Sequence, residues 1–588
     1  MSTDSTKQPR KKGQPAAGRP AKPEPAAEET RPRLGDEVPE RVWRWASISI
    51  LMLATALRFY ALDLKPLHHD EGVNGFFLTN LLNGFGYRYD PQNYHGPSLY
   101  FLTAPLAKLA GLTTYAVRIP VALFGVGTVW LVLALRRHLG AVAALAAAAL
   151  VAASPGAVYY SRYFIHETPF VFFTLAIVVA ALRFHETGRG GQLMLFALSA
   201  ALLFTTKETA FISAGTLVLA ALVAWSWVQL TGGPAAAAVA RAGRRRKGGE
   251  TGLGAAFARL GGNAPLYVGG AALLFVAVYV LLYTSFFTNS KGFSDSFAAF
   301  NVWSKTGASD FHAKPFYTYV KWLYQEEGPI LILATAGAAV ALFERSKNRF
   351  AIFAGAWAFG LLLAYSLIKY KTPWLVLSFV VPLCLAAGYA VQALGRLSWL
   401  RLSIVLAAAA IGLCLMQDFV SRAALALVFT ALDDASAPLT SLVKGVGLAS
   451  ILTAVGLAAL WVRGRGEPVA WSPRTPALAL AGLAVFVCLW QSAVLNFVRY
   501  DDDRYPYVYS HTQREALELV RQVELLRDRL RERTRADRPP RVTISTSEYW
   551  PLPWYFQGIP GVAYEQRVNP SYDPLTVDAV IGRESDNP

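Results

Sequence analysis

The sequence is poor in cysteine and in charged residues. It has 3 cysteines among 588 residues, and only 16% of its residues are charged. Cys384, Cys414 and Cys488 all lie in apolar runs, where a thiol behaves as a small hydrophobic side chain. They offer neither a disulfide framework nor a CxxC metal or redox motif. The hydrophobic share of 54% excludes an ordinary soluble multidomain protein and favours the membrane class.

Nucleotide-binding signatures are also missing. The sequence has no P-loop and no GxGxxG motif after a strand, which disfavours an ATP-driven pump and an enzyme that uses a nucleotide sugar. The net charge of +17 would suggest a polyanion partner in a soluble protein. Here the basic residues collect in short loops and in the N-terminal tail. This pattern reports membrane orientation and not nucleic-acid binding.

Long apolar runs bounded by charge recur along the chain. Because a helix needs about 20 such residues to cross a bilayer, we expect about 13 membrane-spanning helices. Their expected centres are Leu51, Val126, Ala147, Leu175, Ala197, Leu217, Leu274, Ile332, Gly360, Val381, Ala408, Ala454 and Ala484. The basic loops place the polar tail, residues 1–42, in the cytoplasm, where its composition predicts disorder. If the stretch Pro97–Leu112 crossed the membrane, several later basic loops would lie outside. We therefore interpret it as an interfacial or re-entrant helix.

The C-terminal segment, residues 497–588, follows an odd number of spans and is therefore expected outside the cell. A charged helical run, Thr512–Arg535, precedes a short strand pattern at Arg541–Ser545. The aromatic cluster Tyr549–Phe556 fits either the membrane surface or a core strand. We predict an all-α polytopic protein of the plasma or inner membrane, with a transmembrane domain at residues 43–496 and a small extracytoplasmic α/β domain.

The first outer loop, residues 62–116, carries two polar clusters. One is HHDEG at residues 68–72 and the other is HGP at residues 95–97. The paired carboxylates Asp70 and Glu71 beside imidazoles could supply a general base for a hydroxyl acceptor, or ligands for a divalent metal ion. A polar turn in which Asp70 caps a helix explains the same residues. From the residues alone, both interpretations stand.

Two more outer segments carry ionisable residues next to apolar runs. Glu167 could join the same acidic site, or it could simply begin a helix, where the helix dipole favours a carboxylate. Lys207 lies in the polar break TTKET at residues 205–209. A lysine at that depth is costly unless it pairs with an acid such as Glu208 or holds an anion such as a lipid phosphate.

The motif KYKTPW at residues 369–374 places Lys369 and Lys371 on the outer side, against the positive-inside trend. An anionic ligand or simple contact with lipid headgroups explains them. The acidic residues and the lysines of these outer segments would then face the same compartment. Such an arrangement suits a lipid-phosphate donor, because cations can neutralise the leaving polyprenyl phosphate while a carboxylate takes the acceptor proton.

At these motifs the sequence resembles the GT-C superfamily of membrane glycosyltransferases, in the branch of protein O-mannosyltransferases and aminoarabinose lipid A transferases. The shared landmarks are the acidic pair, the Pro-led helix at His95–Tyr100, the Arg-Tyr pair and acid of the second loop, and the Thr-Lys break. The KYKTPW motif and WPLPWY at residues 550–555 resemble the flippase-activity-associated glycosyltransferase-like proteins more closely still. The resemblance covers about Trp43 to Phe556.

The resemblance implies an inverting transfer from a polyprenyl-phosphate sugar to an envelope glycan, lipid or protein acceptor on the outer face. It implies Asp70 as the base with Glu71 supporting, Glu167 shaping the site, and Lys207 and Lys371 contacting the donor phosphate. The further predicted substrate-binding residues are His69, His95, Arg162, Glu208 and Tyr370. The expected partners are the donor, membrane lipids and the acceptor, with no nucleic acid; no cofactor or metal is predicted.

Two alternative functions use the same residues. A flippase or transporter component for lipid-linked sugars would hold its ionisable residues along the interiors of the spans, near the middle of the membrane. The sequence places them in the outer loops instead, which favours a transferase. A non-catalytic assembly partner would tolerate the substitution Asp70→Asn.

Overall fold

The computed structural model describes residues 1–2, 38–84, 86–231, 252–308, 310, 312–344, 348–395, 474–534, 539–546, 548–565 and 577–582. In chain order, its helices are α1 (Glu40–Phe59), α2 (His69–Leu82), α3 (Ser98–Ala110), α4 (Thr114–Leu133), α5 (Arg136–Leu139), α6 (Ala141–Ala153), α7 (Pro155–Tyr160), α8 (Glu167–Thr187), α9 (Gly190–Phe204), α10 (Ala210–Thr231), α11 (Leu253–Leu260), α12 (Ala264–Tyr283), α13 (Lys291–Ala308), α14 (Thr318–Phe343), α15 (Arg349–Leu367), α16 (Leu377–Leu394), α17 (Arg474–Ala493), α18 (Ala516–Thr534) and α19 (Leu552–Tyr555).

The described residues include nine helical segments that are long and apolar enough to cross a membrane. Each contains one of the predicted span centres. Two shorter apolar helices, α6 and α9, contain the predicted centres Ala147 and Ala197. The remaining predicted centres, Ala408 and Ala454, lie outside the described residues, as does most of the N-terminal tail. The chain is a mostly helical, multi-pass membrane protein.

Polar residues and glycine define the helix ends. Thr113 accepts a hydrogen bond from the Ala116 amide at 3.1 Å and so caps the start of α4. Asn348 caps α15 in the same way. Helix α8 ends at Gly188, whose left-handed φ of +63° favours a residue without a β-carbon.

Helix α16 lies at the centre of the bundle, and every residue from Leu377 to Leu394 is buried. It packs against α6, α14 and α15. Small residues allow these helices to approach closely: a β-carbon at Gly337 would lie 1.9 Å from the Ala386 carbonyl oxygen, and one at Gly388 would lie 2.2 Å from that of Ala143. Close packing through small residues is typical of membrane helices.

The C-terminal segment contains α18, α19 and a parallel three-stranded sheet with strand order β2-β1-β3. Its strands are β1 (Val542–Ser545), β2 (Val562–Glu565) and β3 (Ala579–Gly582). Strand β1 coincides with the strand pattern in the sequence. The aromatic cluster contains the short helix α19, so its interpretation as a core strand is wrong.

The aromatic cluster packs on the first outer loop. Trp554 lies over Gly75 of α2, where an added β-carbon would come within 2.4 Å of the indole ring. The Tyr555 hydroxyl accepts a hydrogen bond from the Leu67 amide at 2.8 Å. The C-terminal segment therefore closes one side of the space above α2.

Candidate functional site

A cavity of about 1120 Å³ lies where the first outer loop, the neighbouring ends of the helices and the C-terminal segment meet. Its lining includes seven of the ten predicted site residues, namely His69, Asp70, His95, Glu167, Lys207, Glu208 and Tyr370. The other three, Glu71, Arg162 and Lys371, are outside this lining. The fold thus brings together residues that are up to about 300 positions apart in the chain.

The acidic pair divides between two environments. Helix α2 begins with a capping box in which the His68 imidazole accepts from the Asp70 amide at 3.1 Å and the Glu71 carboxylate accepts from the His68 amide at 2.9 Å. His68 is therefore the N-cap, and the proposed capping role of Asp70 is wrong. Since its carboxylate is not needed for the cap and its side chain is 41% exposed, Asp70 can contact a ligand in the cavity.

Glu71 has no exposed surface and is fully occupied by protein partners. Its carboxylate accepts hydrogen bonds from Arg118 at 2.8 and 2.7 Å and from the Phe164 amide at 2.7 Å, in addition to the His68 amide. Burial alone would raise the pKa of Glu71, but the charge and hydrogen bonds of Arg118 hold that pKa below its usual value. The structure therefore gives Glu71 a role in positioning α2, in place of the expected supporting role in catalysis.

Arg162 and Lys371 also serve the fold. The Arg162 guanidinium donates to carbonyl oxygens beyond the end of α1, to Tyr60 and Ala61 at 2.6 Å each. These bonds satisfy backbone acceptors that the helix leaves unpaired. The Lys371 ammonium donates to the Ile368 carbonyl oxygen and is buried. Both cations are thus held by backbone carbonyl oxygens and lie outside the cavity lining, and their contact with a substrate stays a prediction.

Lys207 lies in the break between α9 and α10 and forms an ion pair with Glu167, the first residue of α8. Both side chains are buried, with exposures of 4% and 6%. The sequence suggests the neighbouring Glu208 as a partner, but packing selects Glu167. Burial lowers the pKa of the Lys207 ammonium, but the charges of Glu167 and Glu208 outweigh this effect and raise the pKa above its usual value. The cavity therefore contains a fixed cation.

The first outer loop is docked onto this break by backbone hydrogen bonds. The Gly96 amide donates to the Thr206 carbonyl oxygen at 3.1 Å, and the Ser98 amide donates to that of Thr205 at 3.0 Å. A β-carbon at Gly96 would lie 2.1 Å from the Thr205 oxygen, so only glycine fits this approach. Docking places His95 Nδ1 3.0 Å from Glu208 Oε2.

Tyr370 comes from the KYKTPW motif and lines the cavity from the side of α15. Burial raises the pKa of its phenol to about 12. Tyr370 is therefore a neutral hydrogen-bond donor at physiological pH. A donor of this kind suits a phosphate or sugar oxygen.

The C-terminal segment contributes His511, which sequence reasoning missed. His511 Nδ1 lies 2.8 Å from the Tyr163 hydroxyl, which donates to Tyr159 at 2.8 Å, and Tyr159 donates to the Tyr500 carbonyl oxygen at 2.8 Å. Because a carbonyl only accepts, the chain of donors must start at His511, whose Nδ1 carries a proton. Burial, with the nearby His68 and Lys65, lowers the pKa of His511. His511 is thus a neutral imidazole in the cavity wall.

Sequence reasoning also missed Arg118. The only available signal was a single charge inside the apolar run of α4, which is costly without a partner. No comparable local signal points to His511, which lies in an irregular loop between α17 and α18. Within the described ranges, no group of three or more His, Cys, Asp or Glu side chains is arranged to hold a metal ion.

Residues 94–241 match the dolichyl-phosphate-mannose-protein mannosyltransferase family. No curated protein sequence matches the chain. Among solved structures, ArnT from Cupriavidus metallidurans bound to undecaprenyl phosphate is 15% identical with a TM-score of 0.54, over 93% of this chain and 90% of that chain. Its apo state is 16% identical with a TM-score of 0.55 over the same shares.

A third solved structure, the Archaeoglobus fulgidus oligosaccharyltransferase tethered with an acceptor peptide, is 12% identical over 90% of this chain and 64% of that chain, with a TM-score of 0.48. The family match covers the second half of the first outer loop, the break at Lys207 and the helices between them. The ArnT likeness extends over nearly the whole chain. The family match and the ArnT likeness agree with the resemblance that the sequence motifs indicate, and the fold of this membrane protein is similar to that of ArnT.

Proposed function

We propose that this chain transfers a sugar from a polyprenyl-phosphate donor to a hydroxyl-bearing acceptor in the cavity above α2. The observation that carries the proposal is that one cavity holds an available carboxylate, Asp70, and a fixed cation, Lys207. The Asp70 carboxylate can take the proton of an acceptor hydroxyl, and the Lys207 ammonium can bind a phosphate. The likeness to ArnT bound to undecaprenyl phosphate supports a lipid-linked donor.

The proposed step is a single displacement at the anomeric carbon. Asp70 takes the proton of the acceptor hydroxyl while the acceptor oxygen bonds to the anomeric carbon, with inversion. The bond from that carbon to the phosphate oxygen breaks, and its electron pair stays on the lipid phosphate. A lysine ammonium has three N–H donors, and the bond from Lys207 to Glu167 uses one of them, which leaves donors for the phosphate.

The other lining residues have supporting roles in this proposal. Glu167 holds Lys207 in place, and the pair of His95 and Glu208 fixes the edge of the first loop next to it. Tyr370 donates to the donor phosphate, and His69 borders the acceptor side. The cavity faces the outer side of the plasma or inner membrane, with the N-terminus in the cytoplasm, as the basic loops indicate.

The experiment uses the purified full chain with radiolabelled polyprenyl-phosphate sugars and candidate glycan, lipid and peptide acceptors. We expect Asp70→Asn to lower transfer at least about 100-fold, within the usual contribution of a general base. The matched control is Asp63→Asn, which removes an exposed carboxylate of the same loop outside the cavity lining. Its transfer should equal that of the wild type.

Two results would overturn the proposal. One is unchanged transfer by the Asp70→Asn variant. The other is movement of the lipid-linked sugar across vesicle membranes without any transfer, which would establish the flippase function instead. Lys207→Met combined with Glu167→Gln removes the cation without leaving the Glu167 carboxylate unpaired, and it should weaken donor binding.

A further inference from the structure

A second cavity, of about 400 Å³, lies at the other end of the bundle. Its walls come from the start of α1, the segment joining α4 to α6, and the end of α8 with the turn into α9. We call it the basic pocket, because four arginines line it: Arg136, Arg137, Arg183 and Arg189. The proposed transfer reaction uses none of these residues.

Helix α8 fixes where this pocket lies relative to the first cavity. Glu167 begins α8 and lines the first cavity, whereas Arg183 lies in the last turns of the helix and lines the basic pocket. At 1.5 Å per residue, Arg183 is about 24 Å farther along the helix axis than Glu167. This distance is close to the thickness of the hydrocarbon core, about 30 Å. The two cavities therefore open at opposite faces of the membrane.

Two carboxylates lie near these arginines, and one of them, that of Glu186, is part of the lining. Glu40 pairs with Arg136 at 2.7 Å, and Glu186 pairs with the His138 imidazole at 3.2 Å. Arg137, Arg183 and Arg189 have no carboxylate partner in the part of the chain that the structure describes.

The lining thus carries four guanidinium groups against one carboxylate, that of Glu186, which leaves the pocket with an excess of positive charge. This excess favours an anion in the pocket. A planar guanidinium binds phosphate oxygens in a bidentate manner, as it also binds carboxylates, so the phosphate of a lipid headgroup suits this lining.

Beside the arginines and the polar residues His138, Glu186, Thr187 and Gln192, the lining is apolar. Leu133, Val179 and Leu182 form part of its lining, and Trp43 lies beside the charged groups with the Arg136 guanidinium 4.4 Å from its ring centre. Tryptophan commonly lies at the level of the lipid headgroups. A ligand with a phosphate at one end and hydrocarbon at the other uses both halves of such a pocket. A soluble anion uses only the charged half.

We propose that the basic pocket binds the headgroup of an anionic phospholipid in the leaflet opposite to the transfer cavity. Basic pockets between membrane helices are suited to such headgroups. The positive-inside trend accounts for arginines on this face, but it does not require them to line a cavity. Arg41 and Arg44 lie on the same face, in the first turns of α1, yet outside the pocket lining. They provide a matched control.

The test measures lipid retention by the purified full chain in detergent, using native mass spectrometry. Phosphatidylglycerol and phosphatidylcholine with identical acyl chains are offered in equal amounts. The wild type should retain phosphatidylglycerol in preference. The triple variant Arg137→Gln, Arg183→Gln, Arg189→Gln should retain it at least about tenfold less, a change of about 1.4 kcal/mol in binding. The double variant Arg41→Gln, Arg44→Gln should behave as the wild type.

A competition measurement distinguishes a lipid site from a site for soluble anions. Displacement of phosphatidylglycerol by millimolar inorganic phosphate would identify a soluble-anion site and overturn the proposal. Equal retention by the triple variant, or equal retention of the two lipids by the wild type, would also overturn it.

The thermal midpoint without added lipid checks that the triple variant is folded. If the triple variant is not folded, the exposed single variant Arg137→Gln is measured against Arg44→Gln. The readout does not depend on transfer activity, so the outcome is independent of the proposed reaction.

Discussion

The carboxylate of Glu71 accepts two hydrogen bonds from the guanidinium of Arg118, at 2.8 and 2.7 Å, in a place that no solvent reaches. The neighbouring carboxylate, on Asp70, is 41% exposed and lines the cavity. Adjacent acids in the sequence thus have different tasks. Glu71 fixes the start of α2 against α4, and this anchoring holds Asp70 at the cavity wall.

Replacing the buried acid should destabilise the protein, whereas replacing the exposed one should not. Glu71→Gln leaves the Arg118 charge buried without a counter-charge, which typically costs about 3–5 kcal/mol. Asp70→Asn should change the free energy of unfolding by less than about 0.5 kcal/mol, as for other substitutions away from buried networks. Unfolding in detergent micelles, followed by circular dichroism, compares the two variants. Equal stability of both would contradict the division of roles.

The Glu71–Arg118 pair should also make stability depend on pH. The pKa of Glu71 in the folded protein lies below the ordinary value of 4.5. Its stabilising contribution is therefore complete above about pH 4.5 and is lost as the pH falls through the lower folded value. The thermal midpoint of the wild type should fall in this acidic range. The Glu71→Gln variant should lack this component, since it has no carboxyl to protonate, and a parallel decline in both proteins would contradict the assignment.

Local patterns in the sequence predicted the membrane helices and the break at Lys207, because apolar length and its interruption are local properties. They also singled out seven residues that line the cavity. They did not predict the partners: Lys207 pairs with Glu167 across 40 positions, and Glu71 pairs with Arg118 across 47. Which acid is buried and which is exposed depends on how α2 packs, and that is decided by contacts between distant segments.

The hydrogen-bonded chain from His511 to the Tyr500 carbonyl should appear as coupling between His511 and Tyr163. Tyr163→Phe leaves the buried His511 Nδ1 proton without its acceptor, at a typical cost of about 1–3 kcal/mol. His511→Phe removes that need. In a double-mutant cycle, the two substitutions should therefore cost less together than the sum of their separate costs, by about 1 kcal/mol. Additive costs, measured by unfolding of all four proteins, would show that the bond contributes nothing.

The docking of the first outer loop on the break depends on Gly96. In the Gly96→Ala variant the new methyl group would meet the Thr205 carbonyl oxygen, which is backbone and cannot move aside cheaply. Overpacking of this kind costs about 1–3 kcal/mol, and displacement of the loop would separate His95 from Glu208. We expect a lower thermal midpoint and weaker transfer.

The matched control is Gly191→Ala in α9, where an added β-carbon meets nothing within 4 Å. Because alanine is a better helix former than glycine, this variant should be slightly more stable, by less than the roughly 0.5–1 kcal/mol typical of the middle of a helix, since Gly191 lies in the first turn. The two glycine-to-alanine substitutions should therefore shift the thermal midpoint in opposite directions. If Gly96→Ala matched the wild type in both stability and transfer, the first loop would not need its close contact with the break.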